Sequence, residues 1–258
     1  MNTTISKLKQ IAPIVFVGLM ILQIGCKKDG EVDTTEDGNV INTSTIKATN
    51  VINSSTKITT VKAEVYWESS DGEDYGYDAI TQAQYQNNGF TLELPASVPA
   101  KYLYLLSEDV PDGIVISDKT AKVTAFSIEA YDKDENNIGC FYLTEDASDE
   151  AGADWIYVDK NVNITGGYKD VDNSYNEEYN YDYNVKLKKG WNTVYGRMTK
   201  SHSSSTGRDV YSYTFTNQKP SGVNYYWYFE SYNYSSSSVK AAIKSVAKKK
   251  LFLQNNNE

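Results

Sequence analysis

The chain has 258 residues and a formal net charge of −9, with 25 Lys plus Arg against 34 Asp plus Glu. That balance excludes a general electrostatic affinity for nucleic acid, which needs clustered cations. One His and two Cys exclude a Cys/His zinc cluster, and the 22 Tyr set among Ser, Thr, Asn and Asp favour strands with half-wet surfaces.

Residues 1–25 have the anatomy of an export signal. Lys7 and Lys9 precede an apolar run from Ile11 to Ile24, broken by Pro13, Gly18 and Gln23, and Gly25-Cys26 closes it. A charged start, a short apolar middle and a small residue before a cut form a secretory signal. The run is shorter than the roughly 20 residues that span a bilayer. With Cys26 directly after the cut, the segment resembles a bacterial lipoprotein signal. That resemblance implies cleavage after Gly25, a diacylglyceryl group on the Cys26 sulfur, and an outer-membrane address on the cell surface or the periplasmic face. An uncleaved anchor and an ordinary signal peptide are the alternatives. Lys27-Lys28-Asp29-Gly30-Glu31 is similar to the charged export signal of Bacteroidota-type surface lipoproteins, and Asp33-Thr34-Thr35 to an O-glycosylation site of that group. With lipid on Cys26, Cys140 is a lone thiol that packs as a small hydrophobe. A Cys26–Cys140 disulfide is the competing arrangement.

Residues 26–44 are polar, acidic and poor in large apolar side chains, the composition of a disordered tether. Such a length spans roughly 20–25 Å on average. From Ile46 to residue 235 the pattern is that of strands. Val61, Ala63, Val65 and Trp67 alternate with Lys62, Glu64, Tyr66 and Glu68, as on a half-buried strand. Ala79 to Tyr85 and Phe90 to Leu94 flank Asn87-Asn88-Gly89, a hairpin turn signal, and Pro95 ends the return strand. Tyr102 to Leu106 and Ile114 to Ile116 are short apolar runs. Val123 to Tyr131 and Ile138 to Thr144 read as a long hairpin over the tip 132–137. An acidic loop, 145–154, leads to paired strands at Trp155 to Val158 and Val162 to Thr165, which Gly166-Gly167 ends. After an acidic, Tyr-rich stretch come Tyr181 to Leu187, a basic turn at Lys188-Lys189-Gly190, Trp191 to Met198, Val210 to Thr216 and Val223 to Phe229.

Consecutive hairpins with turns every 8–12 residues predict an all-β fold, an antiparallel β-sandwich or barrel over 45–235. It is either one sandwich or two, 45–118 and 119–235, with a seam near 107–121. The strand, Asn-Gly turn and Phe-x-Leu-x-Leu-Pro return are similar to transthyretin-like or immunoglobulin-like modules. In 236–258 the pattern changes. Val239, Ala242, Ile243 and Val246 at helical spacing, with Lys240, Lys244 and Lys248–Lys250, predict a short basic helix that either meets anionic lipid or another chain or frays in solvent.

Little of this carries catalysis. Asp132-x-Asp134-x-Asn136 resembles the opening of a calcium loop, but Asn137 and Leu143 stand where a Gly and a bidentate Glu belong, so a polar hairpin tip is the stronger reading and no metal is expected. His202 lies in a Ser-rich stretch that is a poor place to hold a triad. No phosphate loop or dinucleotide fingerprint exists, so no cofactor is implied. The binding signal is aromatic: Tyr181 and Tyr183 beside acids, and the run Tyr226, Trp227, Tyr228. A strand that buries alternate residues exposes aromatic faces in such runs, which suits a glycan or an envelope protein partner, unless both sheet faces are covered. Cross-strand aromatic pairing is the structural alternative. The expectation is a lipid-anchored, non-enzymatic binding or accessory module. A carboxylate-dependent glycan hydrolase and a structural component of an envelope complex are the other classes.

Overall fold

The computed structural model describes residues 45–69, 74–108, 110–145 and 151–232. The expected signal segment with Gly25 and Cys26, the expected tether and the expected C-terminal helix therefore lie outside the described residues. Among the described residues the chain forms fifteen strands and one 3-10 turn, Ala100–Tyr102. The strands are β1 (Thr45–Ala48), β2 (Thr60–Glu68), β3 (Tyr75–Gln84), β4 (Phe90–Glu93), β5 (Tyr104–Leu105), β6 (Ile114–Ile116), β7 (Lys122–Ala125) and β8 (Ser127–Tyr131). They continue with β9 (Asn137–Thr144), β10 (Ala151–Val158), β11 (Val162–Asp172), β12 (Glu177–Leu187), β13 (Gly190–His202), β14 (Asp209–Thr216) and β15 (Tyr226–Ser231). The fold is all-β and sandwich-like, as the alternation predicts.

One long sheet runs β3-β2-β8-β9-β10-β13-β14-β12-β11-β6, with β15 on β9 and with β7 pairing both β10 and β5; β1 and β4 form a separate two-stranded sheet. Its pairings are antiparallel except that β12 runs parallel to β14. Several connections differ from the predicted hairpins. A tight turn forms at 87–89, with Asn87 and Asn88 at φ 53° and 57° as its left-handed pair in place of the Asn-Gly pair, yet β3 and β4 do not pair along their length. Beyond a bridge from Gln86 to Gly89, β4 pairs with β1 and β3 with β2. Likewise β10 and β11 do not pair with each other; β10 joins β13, β7 and β9, and β11 joins β12 and β6. A turn reverses the chain locally, but buried area decides which strand receives it. The β8–β9 hairpin forms as predicted, with a bulge after Ala130.

Gly166 and Gly167 do not end β11, which runs on to Asp172. Gly166 has φ +98°, and a Cβ there would sit 2.1 Å from the Gly113 carbonyl oxygen. These glycines let the loop before β6 lie against the β11 backbone.

The apolar side chains form two cores that share a wall. The first gathers Ile46, Phe90 and Leu92 from the small sheet with Val61, Val65, Ile128, Phe141, Trp227 and Phe229. The second gathers Ile116, Ile164, Val185, Leu187 and Phe215. On β10, Ala153 and Tyr157 face the first core while Ile156 and Val158 face the second; on β13, Trp191 and Tyr195 face the first and Val194 the second. Successive side chains of a strand point to opposite faces, so the end of β10 and the first half of β13 are buried on both sides. Residues on each side of position 118 contribute to both cores.

Candidate functional site

The second core continues outward as a tyrosine face on β11, β12 and β14. The register aligns Tyr183 with Phe215, then Tyr168 with Tyr181 and Tyr213, then Tyr179 with Tyr211. The rings stack across strands. Centroid separations are 4.6 Å for Tyr183–Phe215 and Tyr168–Tyr181, 5.2 Å for Tyr181–Tyr213 and 5.3 Å for Tyr179–Tyr211, with planes within 16° of parallel. A stacking distance near the interstrand spacing follows from Tyr at every second position on neighbouring strands. The face is graded. Tyr183 and Tyr181 are buried, whereas Tyr168, Tyr179, Tyr211 and Tyr213 are half-buried.

Charged groups edge the outer end. Glu177 accepts hydrogen bonds from the Tyr179 hydroxyl and, at 3.3 Å, from the Tyr211 hydroxyl. Lys200 Nζ lies 5.0 Å from the Tyr211 ring centroid and 2.8 Å from Asp209. Burial first, then the neighbouring Tyr211, pushes Tyr213 up to about 12; burial and the Glu177 contact push Tyr179 up as well. The Tyr179 and Tyr213 hydroxyls are protonated at neutral pH. Because the ring faces pack on one another, the outer rows offer mainly ring edges and hydroxyls. Tyr175, in the β11–β12 turn, is 76% exposed.

The other aromatic candidates are placed differently from the expectation. Tyr181 and Tyr183 are 6% and 3% exposed, and Trp227 and Tyr228 are each 3% exposed, so these four do not present a binding surface; Tyr226 is half-buried. Trp227 stacks on Trp155 at 5.6 Å in the first core. Tyr228 points to the opposite side of β15 and stacks on Tyr142. Trp227 and Tyr228 are thus enclosed on opposite faces of β15, and Tyr226 alone of the run keeps partial exposure. The half-buried partners Tyr211 and Tyr213 are not singled out by the sequence. The parallel β12–β14 pairing that gathers them has no local sequence signal.

The remaining candidates are structural in their contacts. Asp132 Oδ1 accepts the backbone N–H groups of Asp134 and Asn136, both at 2.9 Å, and Asn136 Nδ2 also bonds the carboxyl. This fastens the β8–β9 tip and lowers the Asp132 pKa. Asp134 pairs with Lys133. Among the described residues no cluster of three metal-ligating side chains occurs. His202 Nδ1 lies 3.0 Å from Asp209 across the β13–β14 ladder, but Ser203 Oγ meets Ser205 rather than the imidazole. Cys140 is free and buried, and burial pushes its thiol up, which suits an inert packed residue. A void of about 10 Å³ beneath Tyr183 and Phe215 is lined by apolar side chains and is too small for an organic ligand. No family model, no curated protein and no solved structure matches this chain.

Proposed function

We propose that this chain is an exported, lipid-anchored, non-enzymatic binding protein that recognises a protein partner through the outer rows of the tyrosine face. The observation that carries the reading is the graded stack itself. Its inner rows are locked in the second core, and its outer rows present ring edges and hydroxyls beside Glu177, Asp209 and Lys200. Tyr is enriched at protein interfaces because it combines apolar area with a polar tip at low conformational cost. Rings whose faces are already stacked have little face left for a sugar, which favours protein over glycan on these rows. The Gly25-Cys26 signal and the acidic tether support the anchoring part of the reading. Covalent lipid contributes about 0.8 kcal/mol per buried methylene, so two or three chains hold a protein at a bilayer almost permanently.

Two results are expected. In a lipoprotein-processing host, Cys26→Ser moves the protein from the membrane fraction to the soluble one; unchanged membrane association sinks the anchoring reading. In the native host, a photo-crosslinking residue at Tyr175 captures a defined partner, whereas the same probe at Gln82 on β3 does not. Tyr179→Ala with Tyr211→Ala lowers that capture at least about tenfold, as loss of two interface anchors does. Equal capture from both probe sites, or undiminished capture by the double variant, overturns the recognition surface. Glycan-array binding lost in Tyr175→Ala alone favours the sugar-binding reading instead.

A further inference from the structure

The loop from β14 to β15 ends on a hydroxyl with nothing to bond. Tyr225, the last residue before β15, is 2% exposed, and among the described residues its Oη has no hydrogen-bond partner. A donor buried without an acceptor gives up its bonds to water and gains none in return. The Tyr225 ring lies against Tyr195 of β13, with centroids 5.5 Å apart, and Lys219 Nζ is 5.7 Å from its centroid. Burial first, then Tyr195 and Glu145, push the hydroxyl pKa up, while Arg197 draws it down. A guanidinium and a carboxylate therefore both act on this group.

Arg197 stands two residues beyond Tyr195, on the same side of β13, between Ala151 of β10 and Thr214 of β14. The chain sets 34 acids against two arginines. Arg208 donates to Asn173 at 2.8 Å. Among the described residues, neither Arg197 nor Lys219 enters an ion pair. A planar guanidinium fork, an ammonium and a phenolic O–H are all donors, and their complement is an oxyanion. Two cations against the one carboxylate of Glu145 leave a single positive charge over, which suits a singly charged carboxylate better than a doubly charged phosphate.

We propose that Tyr225 Oη, the Arg197 guanidinium and the Lys219 ammonium form a binding site for the carboxylate group of a small ligand. Lys219 is the movable part of the cover. Its flexible four-carbon stem lets the ammonium swing from the Tyr225 ring onto the incoming anion and open the hydroxyl to it. Arg197 and Tyr195 turn away from the tyrosine face, towards which Met198 and Lys200 turn beside Tyr213 and Tyr211. The site is thus independent of the protein-recognition surface.

Thermal melts of the purified full chain test it. Sodium acetate at about 50 mM is expected to raise the midpoint by at least about 2 °C over sodium chloride at the same concentration. Arg197→Gln abolishes that rise, and Glu145→Gln enlarges it. Tyr225→Phe cuts the rise to less than half, yet leaves the midpoint in chloride unchanged or higher, because it deletes a hydroxyl that had no partner. D-glucuronate and N-acetylglycine then distinguish a sugar acid from a peptide C-terminus by the larger rise. No rise in the wild-type chain overturns the proposal, as does an equal rise in Arg197→Gln. A lower midpoint for Tyr225→Phe in chloride also overturns it, since the hydroxyl would then be serving the fold.

Discussion

Trp227→Ala lowers the stability of the fold by about 4 kcal/mol, within the range for truncating a buried Trp. Trp227 lies where three parts of the chain meet. Its ring stacks on Trp155 of β10 with planes 5° apart, and Phe90 of β4 meets it edge-on at 5.3 Å. Its Nε1 donates to the Lys47 carbonyl of β1 at 3.2 Å, and its own carbonyl accepts the Ile52 amide at 2.8 Å. Truncation removes the packing that ties the two-stranded sheet to the long one and leaves a hole that both sheets would have to move to fill. Trp227→Phe keeps part of the ring and loses the indole donor, so about 1–2 kcal/mol is expected. Urea unfolding followed by fluorescence checks both. The alanine variant should shift the midpoint at nearly constant slope; a loss below that of the phenylalanine variant contradicts this account. Domains commonly have only about 5–15 kcal/mol in hand, so the alanine variant folds marginally.

The second large effect is at Asn192, whose side chain is fully buried among apolar residues of the second core's wall. Its Oδ1 accepts the Lys188 amide at 2.9 Å, and its Nδ2 donates to the Lys188 and Gly190 carbonyls at 2.7 and 2.9 Å. One amide side chain thereby closes the turn between β12 and β13. This turn does more than a hairpin turn does, because β12 and β13 are not paired; both pair with β14. No ladder hydrogen bonds between them fix the reversal. Asn192→Ala leaves three backbone groups without this partner and opens space beside Ile156, with an expected loss of about 3 kcal/mol. Asn192→Asp keeps the acceptor but puts a second oxygen against two carbonyls, so it should not rescue stability at neutral pH. Thermal melts of the two variants decide the point: a loss under about 1 kcal/mol in the alanine variant means that the turn holds itself.

Cys140 and Asp132 show how far local chemistry reaches. A single thiol among Ile, Gly and Phe reads as a packed hydrophobe, and it is buried. Asp and Asn at a hairpin tip read as backbone acceptors and donors, and Asp132 serves its own turn. The tyrosine face shows where that reach stops. Tyr at alternate positions of β12 indicates one rich face, but only the parallel pairing with β14 adds Tyr211 and Tyr213 beside it. Those partners are separated from β12 by the whole of β13.

From the sequence alone came the all-β class, most strand positions, a tight turn at 87–89 and the β8–β9 hairpin. Each of these depends on backbone preference or on a period of two within a few residues. Tertiary structure alone decided that β4 joins β1, that the end of β10 and the first half of β13 are buried on both faces, and that Trp227 and Tyr228 are enclosed while Tyr179 and Tyr211 reach the surface. Alternation fixes that neighbouring side chains part to opposite sides, but not what lies on either side; that depends on contacts between distant segments, whose closure entropy must be outweighed by the area they bury together.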